Sequence, residues 1–119
     1  MSELSMYCLV RKDLVMPVGK AMAQAGHAFL KSALVAGFEL LTEYDNTSLH
    51  RKITLVAKNE HALRRAQKEC EQLNIPCYLV IDAGLTVFDG PTVTCLGIGP
   101  VLKENLPTFI QKMQLFSEW

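Results

Sequence analysis

Lys20, Gln24, His27 and Lys31 stand at i, i+4, i+7 and i+11. At 100° per residue, all four fall within a sector of roughly 60° on a helix. A polar stripe of this kind is ordinarily a solvated face. A solvated face usually mixes Glu with Lys, however, and this stripe contains no acid. Two ammonium groups, an amide and an imidazole form a set suited to holding an anion and moving a proton. Further along, Asp82 closes the apolar run Cys77 to Ile81 and is followed by Ala83, Gly84 and Thr86, while Thr94 lies inside the next apolar run. In open α/β sheets, ligands bind at strand ends where loops converge. A carboxylate held there by hydroxyls can orient or deprotonate a water. A lysine or a helix N-terminus can bind phosphate or stabilise an oxyanion. Each residue alone has a plainer explanation: Asp82 as a loop cap, the threonines as ordinary strand residues, His27 as a packed or solvated ring, Lys52 as edge protection. Only their joint occurrence points to chemistry.

The elements that must position these residues follow from local pattern. Met6 to Val10 is a short apolar run that reads as a buried strand. Pro17 and Gly19 mark a loop, and a helix is expected from about Lys20 to Leu34, ended or interrupted by Gly37, with Phe38 to Tyr44 able to continue it. Opposite the polar stripe of that helix, Met22, Ala25, Phe29, Ala33 and Ala36 make its greasy back, and its small residues Ala21, Ala23, Ala25, Gly26 and Ala28 admit close backbone approach. Lys52 to Ala57 is rich in β-branched residues and reads as a second strand. Asn59 caps a second helix running to about Leu73, with Ala62, Leu63, Ala66, Cys70 and Leu73 on its apolar side and Asn74 as C-cap. Cys77 to Ile81 is the third strand. Thr86 to Phe88 is extended, Asp89-Gly90-Pro91 turns, and Thr92 to Ile98 is a fourth strand ending at Gly99-Pro100. A short helix over Leu102 to Leu106 and a further turn or edge strand over Thr108 to Phe116 complete the chain. This order predicts a sheet with helices on both faces, mixed because the last two strands are joined by a short connection.

Composition sets bounds. At 119 residues, half of them hydrophobic, the chain is expected to form one domain, residues 1–119, with a substantial core. No secretory pattern opens it and no apolar run reaches membrane-spanning length, so a soluble, cytoplasmic protein without membrane contact is expected. Cys8, Cys70, Cys77 and Cys95 form no C-x-x-C pair and no zinc cluster. They read as buried free thiols serving as small hydrophobes. Net charge is zero, yet residues 1–68 hold ten Lys/Arg against six Asp/Glu while residues 69–119 hold two against six. That asymmetry suggests one face able to meet a polyanion. A P-loop fails at Leu14 and Ala21, a dinucleotide fingerprint fails at Pro100 and Leu102, and neither H-E-x-x-H nor G-x-S-x-G is present.

Three segments, VRKDLVMPVGKAMAQAGHA from Val10, DAGLT from Asp82 and TVTCLGIGP from Thr92, occur in this order and at these separations. In register they resemble the type II peptidyl-tRNA hydrolase family, from about Tyr7 to Pro100. The resemblance implies a three-layer α/β/α fold with a four-stranded mixed β-sheet flanked by helices, often a homodimer. It implies hydrolysis of the ester joining a peptide to the 3′-terminal ribose of tRNA, without metal or organic cofactor. Matched by position, Lys20, His27, Asp82, Thr86 and Thr94 are the implied catalytic set and Gln24 a substrate contact. Lys52 matches a basic residue at the second strand. With Arg11, Lys12, Lys31 and Arg51 it is a candidate for the tRNA backbone. The chain departs from the family pattern at Gly26, where serine is common, at Leu49-His50-Arg51, where a Gly-Gln pair is common, and at Leu85. A competing reading is a catalytically diverged paralogue that binds RNA or protein.

Overall fold

The computed structural model describes residues 3–85 and 87–119; Thr86, and with it part of the expected extended segment 86–88, lies outside them. Four strands, β1 (Leu4–Arg11), β2 (Lys52–Ala57), β3 (Cys77–Asp82) and β4 (Thr92–Leu102), make one sheet in the order β2-β1-β4-β3. β1 and β2 are parallel, and β4 runs antiparallel to both β1 and β3. The C-terminal ends of β1, β2 and β3 and the first residue of β4 therefore share one end of the sheet. Helices α1 (Val18–Ala36) and α2 (Phe38–Thr47) lie on one face. On the other lie α3 (Glu60–Gln72), a 3-10 turn (Lys103–Asn105) and α4 (Thr108–Gln111). The expected three-layer mixed α/β fold is thus what the chain forms.

Local chemistry accounts for most element ends. Asn59 accepts the Ala62 N–H at 2.9 Å and starts α3. At its far end Leu73 is the cap and Asn74, at φ 57°, takes the left-handed position one residue beyond. The Ile75 N–H then reaches Cys70 C=O at 2.9 Å and the Asn74 N–H reaches Glu71 C=O at 3.1 Å, which is a Schellman closure. Leu63, Ala66 and Cys70 enter the core, but Leu73, expected on the same side, is exposed because the chain has already turned. Gly37, at φ 89°, separates α1 from α2. β4 does not stop at Ile98: it runs on through Gly99-Pro100 to Leu102, pairing Leu4 with Leu102 across a register shift. Val87 and Phe88 form bends instead of extended chain. Of the two expectations for the C-terminal segment the helical turn is what forms, at α4; after it comes a single bridge from Leu115 to Leu55 that borders β2, not a strand.

The packing of α1 departs most from expectation. Met22, on the expected apolar back, is 70% exposed, whereas Gln24, Ala28 and Ser32 are buried. The helix is rotated by roughly a quarter turn toward its polar stripe. The cause is a close backbone approach. A Cβ on Gly97 of β4 would lie 2.1 Å from the Ala28 carbonyl oxygen, so α1 can settle only where its smallest side chains face a glycine. Ser32 is satisfied there by donating to Gly99 C=O at 2.8 Å. Gly97→Ala is therefore expected to lower stability by about 1–3 kcal/mol through overpacking against backbone, measured as a reduced urea midpoint at unchanged slope.

Candidate active site

The carboxylate of Asp82, at the end of β3, is the centre of a polar cluster. Its Oδ1 accepts from Lys20 Nζ at 2.5 Å and from Gln24 Nε2 at 3.3 Å. Its Oδ2 accepts the Gly84 N–H at 2.9 Å. Thr94 Oγ1 donates to Gln24 Oε1 at 2.6 Å. This last bond orients the amide, because a Gln24 carbonyl occupied by Thr94 leaves its NH₂ for Asp82. Thr94 thus supports Asp82 through Gln24, in place of the direct contact that sequence suggested. Gln24, expected as a substrate contact, is only 5% exposed and is the buried link. Cys95 adds a weak bond from its Sγ to Gln24 C=O at 3.4 Å.

A β-bulge puts Thr94 in place. Across the β3–β4 ladder Val80 faces Cys95, but Ile81 faces Val93, so Thr94 is the extra residue. Bulges of this type re-aim one side chain next to functional sites. Here the bulge turns Thr94 onto the face where α1 lies. A tight loop positions the other partner. Asp82-Ala83-Gly84 forms a turn in which the side chain bonds its own backbone two residues on. Gly84 has φ 81°, and a Cβ there would lie 2.4 Å from Gly90 backbone. The Gly84 N–H is a site group that sequence reasoning missed; the Asp-x-Gly spacing was the available signal.

Electrostatics favours a charged Asp82. Its carboxyl is held below the ordinary value of 3.8, first by the Lys20 hydrogen bond, then by the Gly84 N–H, against a small opposing effect of burial, with Lys20 and His27 charges adding to the lowering. The first turn of α1 carries no acid, so nothing there opposes Lys20. His27 and Lys31 stand exposed on the rim and, with Gln24 and residues 78–83 of β3 and its loop, line a cleft of about 290 Å³. Among the described residues no three His, Cys, Asp or Glu side chains converge to hold a metal ion.

The remaining cations are not brought to this cluster. Arg11 shares its end of the sheet but is tied to Asp13 at 2.9 Å, to Glu60 at 3.6 Å and to Val93 C=O at 3.0 Å. Lys12, beside it, lies over the Phe116 ring. Arg51 and Lys52 sit where β2 begins, at the opposite end of the sheet and on its opposite flank. Given six residues of strand and three strand spacings, that is roughly 25 Å from Asp82. Arg51 pairs with Glu3, and Lys52 donates to His50 C=O. The expectation for Cys77 also needs adjusting: Cys8, Cys70 and Cys95 are buried free thiols, but Cys77 is half-buried.

The model of the peptidyl-tRNA hydrolase PTH2 family matches residues 4–116. The chain belongs to this family. A peptidyl-tRNA hydrolase of Thermococcus onnurineus is 35% identical over 99 residues, covering 81% of this chain and 83% of the relative. One from Haloquadratum walsbyi is 34% identical over 108 residues, covering 91% and 96%. A probable peptidyl-tRNA hydrolase 2 of Dictyostelium discoideum is 32% identical over 91% of this chain, which spans 52% of that longer relative. The match begins at the first residue of β1 and ends in the segment that borders β2, so it takes in every strand and helix of the fold, the Asp82 cluster included.

The Asp82 environment has a measurable consequence. Its folded pKa lies below its unfolded one, so its contribution to stability is complete above the unfolded value and is lost as pH falls through the folded value. Replacing Lys20 with Met removes the largest lowering influence. The Asp82 ¹³Cγ titration midpoint in Lys20→Met is expected to move upward from that of the wild type, read by NMR; an unmoved midpoint would show the pair to be uncoupled.

Proposed function

We propose that this PTH2 family member hydrolyses peptidyl-tRNA, releasing the peptide as a free acid and the tRNA with its 3′-terminal ribose hydroxyl restored. One observation carries the reading: the chain of hydrogen bonds Thr94–Gln24–Asp82–Lys20, brought together from a bulge, a helix and a strand end at the mouth of a cleft. Asp82, with its depressed pKa, is a weak proton acceptor. It holds Lys20 and orients the attacking water. Lys20 stabilises the negative charge of the tetrahedral intermediate. His27, exposed on the rim, takes the proton that the attacking water gives up and passes it to the departing ribose oxygen, so protons balance over the step. Thr86, within the DAG-x-T motif, is assigned to the same carboxylate by position alone.

Lys31 and Lys12 are the cations assigned to tRNA phosphates. Arg11 is assigned a structural role, since its guanidinium is committed to Asp13, Glu60 and the Val93 carbonyl. Arg51 and Lys52 are reachable only by a part of the tRNA that passes the other end of the sheet. Residues 1–119 act as one domain. The site of action is the cytoplasm, in keeping with four thiols left free. A homodimer is supported by the apolar side of α1 turned to solvent, where Met22, Leu30 and Leu34 continue into Phe38, itself 83% exposed; sedimentation of wild type beside Leu30→Glu tests it.

The deciding assay is peptide release from an N-acetylated aminoacyl-tRNA. Asp82→Asn and Lys20→Met are each expected to lower kcat by roughly 10²–10³-fold with the fold intact. Folded wild type that binds tRNA without releasing peptide would instead make the chain a binding module. Lys31→Ala is expected to flatten the dependence of log KM on log salt. Arg11→Met is expected to lower the urea midpoint and leave that slope unchanged.

A further inference from the structure

β3 is an outermost strand of the sheet. Edge strands are normally guarded by lysine, proline or a covering element. Yet Cys77 to Ile81 contains neither lysine nor proline, and Tyr78 and Ile81 are 37% and 56% exposed. The cleft beside Asp82 is lined by six consecutive residues, Tyr78 to Ala83. One face of a strand presents only alternate residues. A hollow lined by six in a row therefore runs along the strand's edge, where backbone groups are on offer.

The phase of those groups can be read. Pro76 C=O accepts the Gly99 N–H at 2.8 Å. In an antiparallel pair alternate residues turn their backbone groups toward the partner. Residues 76, 78 and 80 thus turn to β4, and Cys77 and Leu79 turn theirs outward. Gln24, His27 and Lys31 wall the α1 side, which makes a trough of the edge. Its upper end is Asp82 itself.

Resting on the hydrolase reading above, we propose that the peptide part of the substrate adds to β3 as a fifth strand of the sheet. With its C-terminal ester at Asp82, the peptide runs back toward Cys77 parallel to β3, bonded through its main chain to the outward groups of Cys77 and Leu79. Continuity of the trough with Asp82 selects this occupant, because a chain esterified at the site must leave it somewhere. Main-chain pairing accepts almost any peptide sequence. It also requires at least one peptide bond, which an unblocked aminoacyl group lacks. β3 offers six residues, so binding should stop improving beyond roughly five peptide residues.

The test uses the full chain and one tRNA carrying N-acetylated oligoalanyl esters of one to seven residues, together with versions N-methylated at single positions. KM is expected to fall with length and level off at about five residues, with kcat nearly constant. N-methylation is expected to raise KM roughly three- to tenfold at alternate positions only, the period of a strand. A KM independent of length, or N-methyl effects without alternation, would overturn the added strand while normal release from acetyl-alanyl-tRNA left the hydrolase reading standing. Absence of release from every member would overturn both. Sedimentation in the same buffer separates a third result: edge-to-edge pairing of two copies through β3, relieved by added peptide ester, would support an open edge, whereas a dimer that blocks it in the active state would overturn the proposal.

Discussion

Backbone lies almost directly on backbone where α1 crosses β4, and the site depends on it. A glycine in the strand opposite an alanine in the helix removes the side-chain spacer that normally separates the two layers. At that separation a side chain as short as glutamine spans from helix to sheet, so Gln24 meets both Thr94 and Asp82. A bulkier contact would lift the helix and part the Gln24 bonds first, since they are set by the height of α1 above the sheet. Packing and chemistry are in this sense one constraint: the tolerance for error at Gly97 is that of the hydrogen bonds several residues away.

The same constraint explains what could be read in the sequence. β2 was legible to the residue at Lys52–Ala57 because β-branched content and flanking polar residues agree. α3 was legible because Asn59, its apolar spacing and Asn74 all signal one helix. The mixed sheet followed from short connections. The orientation of α1 was not legible. Hydrophobicity favours burying Met22, but the free energy of close packing, together with full hydrogen bonding of Gln24 and Ser32, outweighs that preference, and the apolar pattern along the helix carries neither quantity. The stripe of Lys20, Gln24, His27 and Lys31 divides in the fold: Gln24 lies inside the helix–sheet contact and Lys20 borders it, while His27 and Lys31 face solvent on the rim.

Two further features depend on register, which single residues do not encode. The bulge at Thr94 is a matter of how β3 counts against β4, so the sequence can name the threonine but not its direction. Arg51 and Lys52 carry the right charge, yet parallel pairing of β2 with β1 sends them to the far end of the sheet. Arg11 is a candidate for the tRNA backbone in sequence alone because its partners, Asp13, Glu60 and a carbonyl of β4, come from three places in the chain. In each case residue type was informative and topology decided the use.

The two outer margins of the sheet are not treated alike. Along β2 the C-terminal segment lies down, with Val56 N–H bonded to Gln114 C=O and Phe116 N–H to Thr54 C=O, while among the described residues no strand pairs with the outer edge of β3. A sheet bare on both margins can recruit copies of itself without limit, each addition presenting the margin for the next. A sheet sealed on one side cannot: any edge-to-edge growth through β3 is complete after a single step. The short segment after α4 thus acts as a chain terminator, limiting any pairing through the open margin to one partner.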